Sequence, residues 1–169
     1  MVEQLEQQAE MLHQAVTELV KLYQCRDRQE ICCYGISVSQ CYTLEALAAH
    51  GKLTMGALAK QIQVTVSTMT RIVDQLVARE LVQRWFDAAD RRVCCVAITP
   101  QGQALLSTIR DELVAMEKEV LEKISPTARE TVIIALQELT RAVGHWRALH
   151  QQPRRQGAQR GQTTHQHPD

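Results

Sequence analysis

Net charge is the first thing this sequence lacks: its 19 Lys and Arg are balanced by 19 Asp and Glu over 169 residues. Binding of nucleic acid by bulk positive charge is thereby excluded, while a local basic patch is not. Aromatic side chains are scarce, with two Trp, three Tyr and one Phe, so a core has to be filled by aliphatic residues. No apolar run approaches the roughly 20 residues that a bilayer-spanning helix requires; Val132–Leu136 is typical of the longest. The start, MVEQLEQQAEMLHQAV, is acidic and Gln-rich without an apolar segment, so neither a signal peptide nor a membrane partner is expected, and a cytoplasmic location is. Seven scattered glycines form no phosphate-binding loop. With no HExxH and no nucleophile–base arrangement, the chain is not expected to be an enzyme.

Cysteine is abundant instead: Cys25, Cys32, Cys33, Cys41, Cys94 and Cys95. Two adjacent pairs without a secretion signal do not resemble an extracellular disulfide framework. The absence of C-x-x-C removes the thioredoxin-type centre and the zinc ribbon. Cysteine also serves as a small buried apolar residue, so packing is an alternative at every one of these positions.

The apolar residues Leu5, Ala9, Leu12, Val16, Leu19 and Tyr23 step by three or four, the stripe of an amphipathic helix. The stretch Ile31–Ile36 breaks it around Gly35. Ser37-Val-Ser-Gln40 reads as a capping box opening a helix that buries Cys41, Leu44, Leu47 and Ala48. Thr54 caps a short helix with Leu58, Ala59 and Ile62 inward; Thr65 caps another over about Val66 to Arg79, with Met69, Ile72, Val73, Leu76 and Val77 inward. The tight connection Gln63-Val64-Thr65 between them is of the helix-turn-helix kind.

The period then changes from 3.6 to 2, predicting strands over Leu81–Phe86 and Val93–Thr99 around the polar tip Asp87–Arg92. Helix-turn-helix followed by strand, tip and strand is the layout of a winged helix. Thr99-Pro100 and Ser125-Pro126 start two long helices, striped by Leu105, Ile109, Leu113, Met116, Val120 and Ile124, and by Val132, Leu136, Leu139, Val143 and Trp146. Residues 151–169 offer no apolar residue larger than Ala158 and are expected to be a disordered tail, whose Arg154, Arg155 and Arg160 read as solvated. The fold class expected is mainly α with a small antiparallel β-wing. One domain spans 1–150, with the winged helix-turn-helix at 37–99 and dimerisation helices at 1–30 and 100–150. The long terminal helices leave apolar faces over, which predicts a homodimer.

The run Leu58-Ala-Lys-Gln-Ile-Gln-Val-Thr-Val-Ser-Thr-Met-Thr-Arg-Ile-Val-Asp-Gln-Leu-Val77, with Leu81-Val-x-Arg84, Asp90-Arg-Arg92 and Ile98-Thr-Pro-Gln-Gly102, resembles the MarR family of bacterial transcription regulators. Across about residues 5–147 the order of elements is similar to that family. The resemblance implies a homodimeric winged-helix repressor or activator on a pseudo-palindromic double-stranded DNA operator, with binding altered by a small molecule, a metal or an oxidant.

A helix in the major groove needs short polar side chains near its start and an arginine for base edges or phosphate. Thr65, Ser67, Thr68, Thr70 and Arg71 meet that need, with Val66 as a weaker candidate for a thymine methyl. Arg91 and Arg92 on the wing are expected to reach the minor groove or flanking phosphates, and Arg84 to add a phosphate contact. The family pattern gives Asp90 the role of holding a nearby arginine and shaping the tip.

In relatives of this fold the effector cleft lies beside the first two helices, where Cys32, Cys33 and Cys41 fall. Thiolates there suit a soft metal ion, trivalent arsenic or an Fe–S centre, or an oxidant-sensing thiol. An organic ligand with cysteines that only pack is the alternative, and a thiol-based metal-binding or redox protein is the rival class. On a strand Cys94 and Cys95 point to opposite faces. If Ile98 is core, Cys94 is the residue expected to fill space.

Overall fold

Capping residues set most of the element boundaries. In the computed structural model, which describes residues 2–150, helix α1 (Val2–Cys33) ends just before Gly35, which takes φ 70°. Helix α2 (Val38–His50) opens on a complete capping box: Ser37 Oγ accepts from the Gln40 N–H, and Gln40 Oε1 accepts from the Ser37 N–H at 2.8 Å. Thr54 and Thr65 cap α3 (Met55–Ile62) and α4 (Val66–Ala78) in the same manner through their hydroxyls. Pro100 and Pro126 occupy the first positions of α5 (Pro100–Glu122) and α6 (Pro126–His150), where the missing N–H costs nothing. Two compact units result, the first ending at Lys118 and the second beginning at Glu119.

The first unit holds an aliphatic core of Ile31, Ile36, Leu44, Leu47, Leu58, Met69, Val73, Leu76, Val96 and Ile109 with smaller neighbours. Between α1 and α5, Tyr23 donates to Glu117 Oε2 at 3.0 Å and Arg26 Nη1 donates to Glu117 Oε1 at 2.5 Å. Arg26 also pairs with Asp27 at 2.7 Å and stands 4.2 Å over the Tyr23 ring. Burial, then the hydrogen bond to Glu117, raises the Tyr23 phenol above its usual range. In the second unit, Arg129 Nε donates to the carbonyls of Leu121 and Ile124 at 2.8 and 3.1 Å, covering the end of α5. Helix α6 buries none of its side chains.

Three antiparallel strands in the order β1-β3-β2 form the sheet: β1 (Leu53–Thr54), β2 (Val82–Phe86) and β3 (Cys94–Ile98). The register sets Val82 opposite Ile98, Trp85 opposite Cys95 and Thr54 opposite Cys95. The two-residue β1 is too short for any alternation to announce it, and it makes β3 the central strand. Cys95, not Cys94, is the buried member of its pair; Cys94 is half-buried, and Cys95 and Val96, on opposite faces of β3, are both buried.

Three further expectations are corrected. Helix α2 buries Thr43 and Ala46, while Ala48 is exposed. The strands are a residue shorter at the hairpin's open end and at Val93 than the alternation suggests. Of the α5 stripe, Ile109 is buried, Leu105, Leu113, Met116 and Ile124 are half-buried, and Val120 is exposed. The expected tail at 151–169, with Arg154, Arg155 and Arg160, lies outside the described residues. No helix among the described residues is long and apolar enough to cross a membrane.

Candidate nucleic-acid interface

The turn between α3 and α4 is made by Gln63, which takes the left-handed conformation (φ 63°, ψ 42°) and donates its N–H to Ala59 and Lys60. Val64 then bonds back to the Ala59 carbonyl at 3.0 Å. Glycine is the usual residue at such a turn; spacing located the connection at Gln63-Val64-Thr65, while the left-handed conformation of Gln63 carries no mark in its residue type. The turn delivers Thr65 to the start of α4, and Met69, Ile72, Val73 and Leu76 anchor the helix through its opposite face.

The exposed start of α4 is a cluster of hydroxyls. Thr65 Oγ1 accepts from the Thr68 N–H at 3.2 Å and lies 3.0 Å from Ser67 Oγ and 2.9 Å from Thr68 Oγ1. Thr70 Oγ1 donates to the Val66 carbonyl at 2.9 Å. Val66, Ser67 and Arg71 are exposed, and Thr68 and Thr70 half-exposed. Short side chains permit close approach of the backbone to a ligand, and the free N–H groups of a helix start favour an anion.

In the wing, two aspartates fold the tip. Asp87 Oδ1 accepts from the Ala89 N–H and Asp90 Oδ1 from the Arg92 N–H, both at 2.9 Å. Asp90 therefore shapes the tip through the backbone rather than by holding an arginine guanidinium. Asp87 N and Val93 N close the loop on Val93 O and Asp90 O at 2.8 and 2.9 Å, leaving Arg91 and Arg92 exposed at its end. Arg84 does not stand free: it is ion-paired with Asp74 on α4. The exposed Trp85 and Phe86 on β2 escape patterning, because alternation alone does not say which face of a wing is covered.

The cysteines are not gathered. Cys32 and Cys33 are exposed in the last turn of α1, whereas Cys41 is 1% exposed within the core. Burial, followed by the charges of Glu45 and Asp27, pushes the Cys41 thiol up to about 12, so it is protonated at neutral pH. Among the described residues no three His, Cys, Asp or Glu side chains are placed to share one metal ion. Nearby, a groove of about 390 Å³ lies between α2 and α5, lined by Glu45, Ala48, Ala49, Leu106 and Arg110.

Comparison with known proteins decides the family. The sequence model of the MarR family matches residues 34–93. The HTH-type transcriptional regulator MhqR of Bacillus subtilis is 30% identical over 108 residues, 64% of this chain and 72% of that protein. The chain belongs to the MarR family. The HTH-type transcriptional repressor NicR of Pseudomonas putida is 36% identical over 104 residues, 62% of this chain. The chain spans 63% of NicR's length, a little under two thirds. Among solved structures, this MarR-family chain matches RV1404 from Mycobacterium tuberculosis with TM-score 0.71 at 25% identity, covering 80% of this chain and 94% of that one. It also matches a mutant of S. aureus MepR bound to an oligodeoxyribonucleotide with TM-score 0.57 at 23% identity, covering 80% and 97%. The fold is that of the winged-helix members.

Proposed function

We propose that this MarR-family chain is a homodimeric DNA-binding transcriptional regulator, acting as a repressor on a pseudo-palindromic operator. The observation that carries the reading is the exposed, hydroxyl-rich start of α4 beside a wing whose tip ends in Arg91 and Arg92. Thr65, Ser67, Thr68, Thr70 and Arg71 enter the major groove, with Arg71 on a base edge or phosphate. Arg91 and Arg92 track the minor groove or its phosphates, and Asp90 holds the tip in shape. Arg84 reaches phosphate only when it leaves Asp74.

Exposed apolar residues on the terminal helices support the dimer: Leu12, Leu19 and Leu22 on α1, and Ile134, Val143 and Trp146 on α6. Faces of this kind are covered by partner surface more often than left to water. NicR is named a repressor and one MepR structure holds DNA, which favours the same sense here. The signal is read by the surface thiols Cys32 and Cys33, as a soft metal, a metalloid or an oxidant, with Cys41 left as a core residue. A second reading, an organic effector, is favoured by the groove between Glu45 and Arg110.

Sedimentation of the protein with DNA from upstream of its own gene tests this. One dimer per duplex, with half-sites about 10 bp apart, is the expected result; a monomer on DNA, or binding indifferent to sequence, contradicts it.

A further inference from the structure

The two exposed thiols of α1 lead into a turn that holds the C-terminal end of α4. Cys32 and Cys33 are the last two residues of α1, and Cys33 Sγ donates to the Gln29 carbonyl at 3.3 Å. The chain leaves the helix through Tyr34 N bonded to Ile31 O at 3.2 Å and Gly35 N bonded to Cys32 O at 2.9 Å. The next two carbonyls, Tyr34 O and Gly35 O, both accept from the guanidinium of Arg79, Tyr34 O at 3.0 Å. Arg79 is the residue that closes α4 at its C-terminus. The guanidinium sits so closely on Gly35 that a Cβ there would lie 3.2 Å from Arg79 Nη1.

We propose that Cys32 and Cys33 together form a binding site for trivalent arsenicals, and that ring closure across them releases Arg79 and loosens the end of α4. The effect on DNA rests on the function proposed above; the site and its coupling to α4 do not. An arsonous acid, R–As(OH)2, condenses with the two thiols: two As–S bonds form, two As–O bonds break, and the thiol protons leave in two molecules of water. No oxidant or reductant is consumed. Soft sulfur donors suit this element.

Geometry makes the reaction a switch. Successive residues of a helix are about 100° apart around its axis, so the two side chains diverge and one arsenic atom bridges them only if the last turn unwinds. Cys32, Cys33 and Gly35 are the exposed residues of that turn, while Ile31 and Ile36 on either side stay anchored in the core, so the opening is local and is opposed by the two bonds from Tyr34 and Gly35. Unwinding of the turn displaces the carbonyls that Arg79 grips. The second adjacent pair, Cys94 and Cys95, lies in a strand with Cys95 buried, and serves as an internal control.

The test uses the full-length reduced protein and phenylarsine oxide, read by intact mass, peptide mapping and amide hydrogen exchange. One adduct per chain is expected, retained in Cys41→Ser and Cys25→Ser and abolished in Cys32→Ser and in Cys33→Ser. Exchange of the amides of residues 76–81 should become about tenfold faster with the adduct. Arg79→Ala should show that faster exchange without arsenical, and no further rise with it. An adduct mapped elsewhere, or no adduct, overturns the site; an adduct that leaves residues 76–81 unchanged overturns the coupling. Anisotropy on DNA is run in parallel, where weaker affinity in the wild type but not in Cys32→Ser is expected. If the unmodified protein does not bind DNA, the proposed function fails, while mass and exchange still judge the site.

Discussion

Arg84 of the wing strand β2 is ion-paired with Asp74 of α4, so this wing arginine is neutralised by α4 itself. Both side chains are about half-exposed, and an exposed pair contributes about 0–1 kcal/mol. Its consequence is therefore electrostatic rather than stabilising. Asp74→Ala should leave stability nearly unchanged, strengthen DNA binding and steepen its salt dependence, because Arg84 becomes free to meet phosphate. Arg84→Ala in that background should cancel the gain. A urea double-mutant cycle and anisotropy titrations read both effects, and weaker binding by Asp74→Ala would contradict the assignment.

Gly102 sits where the wing returns to α5. Its N–H donates to Thr99 Oγ1 at 3.0 Å, and that hydroxyl donates to the Glu80 carbonyl at 2.6 Å. A Cβ at this position would run into the Leu81 carbonyl and come within 2.9 Å of Ile98 Cγ1. Helix propensity alone favours Gly102→Ala by up to about 1 kcal/mol. The clash with backbone reverses the sign, and destabilisation by about 1–3 kcal/mol is expected in urea unfolding. A raised midpoint would show that the carbonyl moves aside freely.

The capped elements were the legible ones, since Ser37, Thr54 and Thr65 carry their geometry in the side chain itself. The helix-turn-helix and the wing followed from period and spacing in the same way. Less legible was whatever depends on a distant partner. The two residues of β1 leave no periodic trace, and alternation does not announce that β3 is covered on both faces, at Cys95 and at Val96. Asp74 captures Arg84 across ten residues of sequence, and Asp90 turns to the Arg92 backbone, neither of which spacing encodes. The grouping of Cys32, Cys33 and Cys41 was a matter of sequence proximity; the start of α2 turns one of them into the core.

Glu45 gives the fold a pH dependence. Burial, and then the negative charge of Asp27, raises its carboxyl pKa, with Arg110 opposing. The folded chain thus holds this proton more tightly than the unfolded chain, whose glutamates titrate near about 4.3. Stability from this group falls as pH rises from that value through the raised one, and stays lower at neutral pH. Glu45→Gln should therefore raise Tm at pH 7, with the difference shrinking below about pH 4. Thermal melts at the two pH values check it, and a difference independent of pH would contradict the sign.

The most direct test of the central claim is the salt dependence of DNA binding, measured by anisotropy for the wild type, Arg71→Ala, Arg91→Ala and Arg92→Ala. Removing one arginine–phosphate interaction should lower the slope of log K against log salt by about one, hence by about two for a substitution carried twice in a dimer. Both wing variants should bind more weakly, with that reduced slope. Arg71→Ala should lose sequence discrimination where that residue reads a base, and slope where it meets phosphate. Wild-type affinity and slope in all three variants would contradict the reading of α4 and the wing as a DNA-binding surface.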